Sequence, residues 1–158
     1  MQYKSKNGKL YAVMLLLVMI GIVDTAYLTY AHYTGTPVAC PESGVVNCAK
    51  VLSSPYSAVF GIPLGFIGFI FFAIELFAID RTSYENLVFL NIIGIATVFY
   101  LLFVEYTLRA ICLYCTVVHI LVVLLLILYQ CLPCSPYQFL SFLYRVYLHQ
   151  FRHIFSLH

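Results

Sequence analysis

Four long apolar runs, at about residues 10–30, 59–79, 87–104 and 110–129, leave this 158-residue chain few ways to fold. Each approaches the roughly 20 apolar residues that a helix needs to cross a bilayer, and together with their short connections they take up most of the chain. The expected fold is all-α and integral to the membrane: four transmembrane helices in one bundle. That bundle forms a domain over residues 1–130, and residues 131–158 form a separate tail. With 63% hydrophobic and 9% charged residues, and a mean hydropathy of +0.98, the chain is far from a soluble mixture.

The cations orient the bundle, because Lys and Arg are retained on the cytoplasmic side. Lys4, Lys6 and Lys9 precede the first run, Arg81 lies between the second and third, and Arg145 and Arg152 follow the fourth. Lys50 and Arg109 fall on the opposite side. Both termini are therefore expected in the cytoplasm of a cell with a plasma (inner) membrane, with residues 31–58 and 105–111 facing out. The first run, with its lysines and "LYAVMLLLVMIGIV", also looks like a signal peptide. The polar stretch "DTAYLTYAHYTGT" and Pro37 ahead of Cys40 argue against cleavage. Eight Lys and Arg against six Asp and Glu form no basic patch, so a nucleic-acid partner is excluded.

Beyond the fourth run, Pro133 and Pro136 break the helix. The tail then mixes Phe139, Leu140, Phe142 and Tyr147 with Arg145, His149, Arg152 and His153, which suits a helix lying in the cytoplasmic interface. On the outer side, "CPESGVVNCAKVLSSPY" is a polar island, irregular except for a short helix over 48–52 that Asn47 can cap. Gly61, Gly65 and Gly68 open the second span at a spacing that lets two membrane helices approach closely.

Six cysteines fall into three pairs. Cys40 and Cys48 lie in the outer loop, Cys112 and Cys115 at the outer end of the fourth span, and Cys131 and Cys134 on the cytoplasmic side. Four share the face on which disulfides persist. Cysteines three apart lie on one side of a helix, and at its N-terminus the dipole favours the thiolate of the first. Static disulfides and a metal site are the competing readings, but the seven residues between Cys40 and Cys48 are a poor zinc spacing. Redox exchange accounts best for an exposed pair facing a second pair at the lip of the bundle, with the loop acting as a shuttle between them. Cys131 and Cys134 face a reducing compartment and are left without a role.

"CPESGVVNCAKVLSSPYSAVFGIPLGFIG", followed by "CLYCTVVH", resembles the vitamin K epoxide reductase family, in particular its prokaryotic members, which form disulfides at the expense of a quinone. The resemblance implies that Cys40 meets the redox partner, Cys48 passes electrons to Cys112, and Cys115 lies beside the quinone. It also implies that Ser54 supports the quinone through a hydrogen bond. Where animal members carry a tyrosine, this chain has His119, whose imidazole can donate to a quinone carbonyl. The electron acceptor is then a menaquinone, ubiquinone or vitamin K-like quinone, with no metal. Because many bacterial members continue into a thioredoxin-like domain and this sequence does not, the electron donor is expected to be a separate thioredoxin-fold protein on the outer side. The competing function is a membrane structural or assembly subunit with static disulfides.

The remaining polar residues of the spans are read as structural. Asp24, roughly 10 Å inside the outer end of the first span by helical rise, is expected to be capped or hydrogen-bonded across helices, the alternative being a proton donor to the quinone site. Glu105 and Arg109 have the spacing and order of an i,i+4 ion pair. Glu75, near Asp80 and Arg81, is read as a residue of the inner interface.

Overall fold

The computed structural model describes residues 8–41, 43–81 and 84–131, so the expected tail, Cys134 included, lies outside the described residues. Among them, four helices have 18 residues or more: α1 (Gly8–Thr34), α3 (Leu64–Arg81), α4 (Tyr84–Leu108) and α5 (Leu113–Cys131). A short helix, α2 (Cys48–Leu52), a 3-10 turn (Pro55–Ser57) and the strands β1 (Ala58–Val59) and β2 (Ile62–Pro63) form a cap between α1 and α3. Two helices are long and apolar enough to cross a membrane, Gly8–Thr34 and Asn86–Leu108, and Leu64–Ile79 and Leu113–Tyr129 are shorter apolar helices.

The long helices are apolar on every side, which marks helices buried in a core or in lipid. On α1, Met14, Val18, Gly21, Thr25, Leu28 and Ala31 are buried at three- and four-residue steps. Its other face exposes Leu16 and Val23, and Phe77, Phe89, Phe99 and Phe103 are likewise exposed on α3 and α4, each of the six by 60% or more. An outer surface of that kind does not suit water.

α1 packs most extensively on α3, and α5 packs on both α4 and α1. Glycines permit the closest approach. A Cβ on Gly65 would lie 3.1 Å from both the Leu28 Cβ and the Thr29 backbone nitrogen, and one on Gly68 would lie 2.9 Å from the Thr25 methyl. Gly61 does not share this role. It follows Phe60 at the tip of the β1–β2 hairpin, where Val59 pairs with Ile62, and the two tip residues have φ of 51° and 80°. Positive φ at both central positions is the geometry of a type I′ turn, whose backbone twist matches a hairpin. The apolar run from residue 59 thus starts as a hairpin, and its helix begins five residues later than expected, at Leu64.

Glu75 also departs from expectation. It is fully buried, not at an interface with water. Its Oε1 accepts a 2.7 Å bond from Asn91 Nδ2 and its Oε2 a 2.7 Å bond from the Tyr129 hydroxyl, which ties α3, α4 and α5 together. Asn91 Nδ2 also donates to Leu87 O at 3.1 Å. A buried carboxyl is tolerable only with such donors.

Candidate active site

The chain brings Cys48 to Cys112 through its backbone. Residues 43–47 turn back on themselves, with Ser43 and Val46 exchanging N–H···O bonds of 3.2 and 2.9 Å. The same stretch then pairs in parallel with the segment that precedes α5. Ile111 N–H donates to Val45 O at 2.9 Å, and Asn47 N–H donates to Ile111 O at 3.1 Å. Val46 lies two residues before Cys48 and Ile111 one before Cys112, so this bridge fixes the two cysteines in register. Asn47 caps α2 as expected, its Oδ1 accepting from Lys50 N–H at 2.8 Å. Cys48, Val51, Ala110, Cys112 and Cys115 form one buried cluster.

Cys40 and Cys48 are joined in a disulfide, with their Cα atoms 6.1 Å apart, whereas Cys112 and Cys115 are free thiols. Cys48 is fully buried, and Cys40 is partly open to solvent. The loop therefore does not have to swing over the helix end to deliver Cys48. A pair of tyrosines holds the segment before Cys40: the Tyr114 hydroxyl donates to Ala39 O at 2.8 Å, and Ala39 N–H donates to the Tyr27 hydroxyl at 3.2 Å. The two rings lie 5.3 Å apart.

Cys112 stands immediately before α5, where it occupies the position of an N-cap. Cys115 N–H donates to Cys112 Sγ at 3.4 Å. Hydrogen bonding from the Cys115 side chain is the largest cause holding Cys112 below the ordinary thiol pKa; the Cys115 N–H assists, while burial and the Glu105 carboxyl oppose it. Glu105 does not pair with Arg109. Helix α4 ends at Leu108, Arg109 turns left-handed at φ 49° and is exposed, and Glu105 is buried with Oε1 accepting from Cys112 N–H at 3.0 Å.

Cys115 faces the other way, into an apolar cavity of about 150 Å³ bounded by α1, α3, α4, α5 and the cap. Val51, Phe71, Phe72, Val118 and Val122 are among its walls, as are Ile67 on α3 and Ile93 on α4, both more than a third exposed. An apolar cavity of roughly that size accepts a single aromatic ring. Neither Ser54 nor His119 is among the lining residues. The Ser54 hydroxyl donates to Val51 O at 2.7 Å, and its neighbours Tyr56 and Ser57 reach the cavity instead. His119, one turn along α5 from Cys115, is buried, with Nε2 lacking a partner among the described residues. Asp24 Oδ2 also lacks one, so the expected cross-helix bond is not made there, although Asp24 lies within electrostatic reach of Cys115 and Tyr114.

A disulfide packed against a free dithiol, which in turn borders an apolar cavity, is an arrangement that can carry electrons. The profile of the vitamin K epoxide reductase family matches residues 12–129, most of the chain. The chain belongs to that family. Within it, 53 residues are 47% identical to the thiol-disulfide oxidoreductase LTO1 of Arabidopsis thaliana, a match covering 34% of this chain and 14% of that protein. The chain thus spans only a small part of that relative's length. For a vitamin K epoxide reductase family member, the exposed apolar helices are those of a membrane protein.

No metal-binding group of three or more His, Cys, Asp or Glu occurs among the described residues. The Tyr27–Tyr114 hold on Ala39 and the backbone bridge at Ile111 were not foreseen. Both join residues far apart in sequence, and no local pattern announces them.

Proposed function

We propose that the protein is a membrane thiol oxidoreductase that takes two electrons from a reduced thioredoxin-fold partner and delivers them to a quinone, leaving the partner with a disulfide. The observation that carries this reading is the position of Cys115, which belongs to the same buried cluster as Cys48 and also lines the ring-sized apolar cavity. Cys40, the more accessible sulfur of the outer pair, takes the partner's attack. Cys48 then reduces the inner pair at Cys112, and Cys115 reduces the quinone.

Two thiols lose two electrons and two protons, which are what a quinone needs to become a hydroquinone. The quinone supplies the oxidising capacity, and this chain supplies the place for it. Phe71 and Phe72 offer ring faces and edges, Val118 and Val122 exclude water, and Cys115 supplies the reactive sulfur. Ser54 and His119 act in this reading behind the cavity wall, Ser54 by holding the turn that carries Tyr56 and Ser57, whose N–H and hydroxyl both donate to Ser54 O. In this reading a substrate dissolved in the bilayer enters between α3 and α4, beside the exposed Ile67 and Ile93. The same reading keeps the four-span topology, with both termini cytoplasmic and the cysteine cap on the extracytoplasmic face of the inner membrane.

The test is anaerobic mixing of the detergent-purified, pre-reduced protein with menaquinone or ubiquinone, followed by absorbance, alongside Cys115→Ala. The wild type is expected to reduce about one quinone per dithiol, and the variant none. If neither reacts and Cys40–Cys48 stays intact under mild reductant, the protein is a structural subunit with a static disulfide.

A further inference from the structure

Glu105 is a carboxyl in a place where holding the backbone would need only an amide. It is 7% exposed on the last turn of an apolar helix, and no cation meets it among the described residues. Among the described residues its hydrogen-bond partner is the Cys112 N–H, a neutral donor that a glutamine oxygen would serve as well. Around it stand the groups that exchange thiols. Cys112 and Cys115 lie at the start of α5, and Cys48 lies on α2, which packs against α4. The nearby cations, Lys50 on α2 and Arg109 in the turn, are exposed to solvent. Asp24 on α1 lies within electrostatic reach of Cys115.

We propose that Glu105 accepts the thiol proton of Cys48 during its attack on the Cys112–Cys115 disulfide. This proposal rests on the electron path given above. In the first step the Cys48 thiol loses its proton to the Glu105 carboxylate, a Cys48–Cys112 bond forms, the Cys112–Cys115 bond breaks, and Cys115 leaves as a thiolate. Cys40, partly open to solvent, loses its own proton to water. It then attacks Cys48, the Cys48–Cys112 bond breaks, and the proton held by Glu105 passes by way of the departing Cys112 sulfur to the Cys115 thiolate, which leaves Cys112 ionised with the Cys115 thiol as its donor. The products are the Cys40–Cys48 disulfide and a reduced inner pair, the arrangement seen in the structure. A buried thiol with no base beside it would have to await hydroxide from solvent, whereas a carboxylate that receives the proton removes its own charge as the thiolate is consumed.

The test uses full-length Cys40→Ala protein with Cys112–Cys115 oxidised, in which the first step stops at the Cys48–Cys112 bond. A jump from acid to higher pH starts the reaction. Acid quenching, maleimide labelling and peptide mass spectrometry then give its rate with glutamate, Glu105→Gln and Glu105→Asp. The Gln variant keeps the acceptor for Cys112 N–H, yet is expected to react about 100-fold more slowly at neutral pH and to gain about tenfold per pH unit as hydroxide takes over. The Asp variant recovers most of the rate. A Gln variant with the wild-type rate and pH profile would reduce Glu105 to a backbone anchor and overturn the proposal. Should the Gln variant not fold, the profile with Glu105 in place decides: a rate proportional to hydroxide throughout also overturns it. No quinone is present in this assay. A protein that fails to reduce quinone but shows Glu105-dependent exchange therefore refutes the acceptor alone, and the proton role survives.

Discussion

Replacing Tyr27 and Tyr114 together with phenylalanine should loosen the segment that carries Cys40 without disturbing Cys48. The two hydroxyls are hydrogen-bond partners of Ala39, the Tyr27 oxygen accepting from its N–H at 3.2 Å and the Tyr114 hydroxyl donating to its carbonyl at 2.8 Å. Phenylalanine keeps the ring contact and removes only the oxygens. Hydrogen bonds of this kind contribute roughly 0.5–1.5 kcal/mol each. Both lie at an exposed site, so about 0.5 kcal/mol for the longer bond and about 1 kcal/mol for the shorter are reasonable. The sum, about 1.5 kcal/mol, is close to a tenfold change in the opening equilibrium. Hydrogen exchange in detergent, read on a peptide covering 36–41, should accelerate by about that factor, and reduction of Cys40–Cys48 by dithiothreitol should follow it. Exchange at Asn47 and Ile111 should not change, because their bonds belong to the separate backbone bridge. If the double variant keeps wild-type protection at Ala39, the tyrosines do not hold the segment and the reasoning fails. Acceleration at Ile111 as well would mean that the cap opens as one unit.

Three other perturbations examine the bundle and the inner pair. Asn91→Leu removes the 2.7 Å donor to Glu75 and should cost about 1–2 kcal/mol, a fall of about 2–8 °C in thermal unfolding followed by circular dichroism; Glu75→Gln, which keeps an oxygen for Tyr129, should stay within about 2 °C. Gly65→Val sets a branched side chain against the Leu28 Cβ and the Thr29 backbone, and should destabilise by about 1–3 kcal/mol in the same assay. Cys112 should ionise below the ordinary thiol range in the reduced protein, a thiolate absorbance that Cys112→Ala abolishes. Because its folded pKa is the lower one, the stability it contributes is present above the unfolded thiol's pKa and is lost as pH falls through the folded value.

The helices were legible because apolar composition and length decide them almost alone. Asn47 as the cap of α2 was legible for a similar reason, since capping depends on three or four consecutive residues. The second span shows where such reading stops. Residues 59–63 are as apolar as a helix, and the hairpin follows from a two-residue tip at positive φ that hydropathy cannot register. Glu105 and Arg109 had the spacing of an ion pair, but spacing assumes a continuing helix, and α4 ends between them. Cys40, Cys48, Cys112 and Cys115 could be grouped by the membrane face on which the sequence places them. Their order in space came from Val46 and Ile111, 65 positions apart, and from Tyr114 and Ala39, 75 apart. Contacts at that range belong to the assembled fold and leave no periodic trace in the chain.

On the proposed electron path, the burial of three of the four sulfurs works as insulation. An electron pair on that path would enter at Cys40, which water can reach, whereas Cys48, Cys112 and Cys115 are all buried, the last beside an apolar cavity. Small thiols and dissolved oxygen would have to cross the same closed region to drain or short the circuit. What the backbone bridge would contribute is therefore selectivity as much as speed: with Cys48 held still and covered, charge would leave the proposed path only to a molecule that fits one of its two ends.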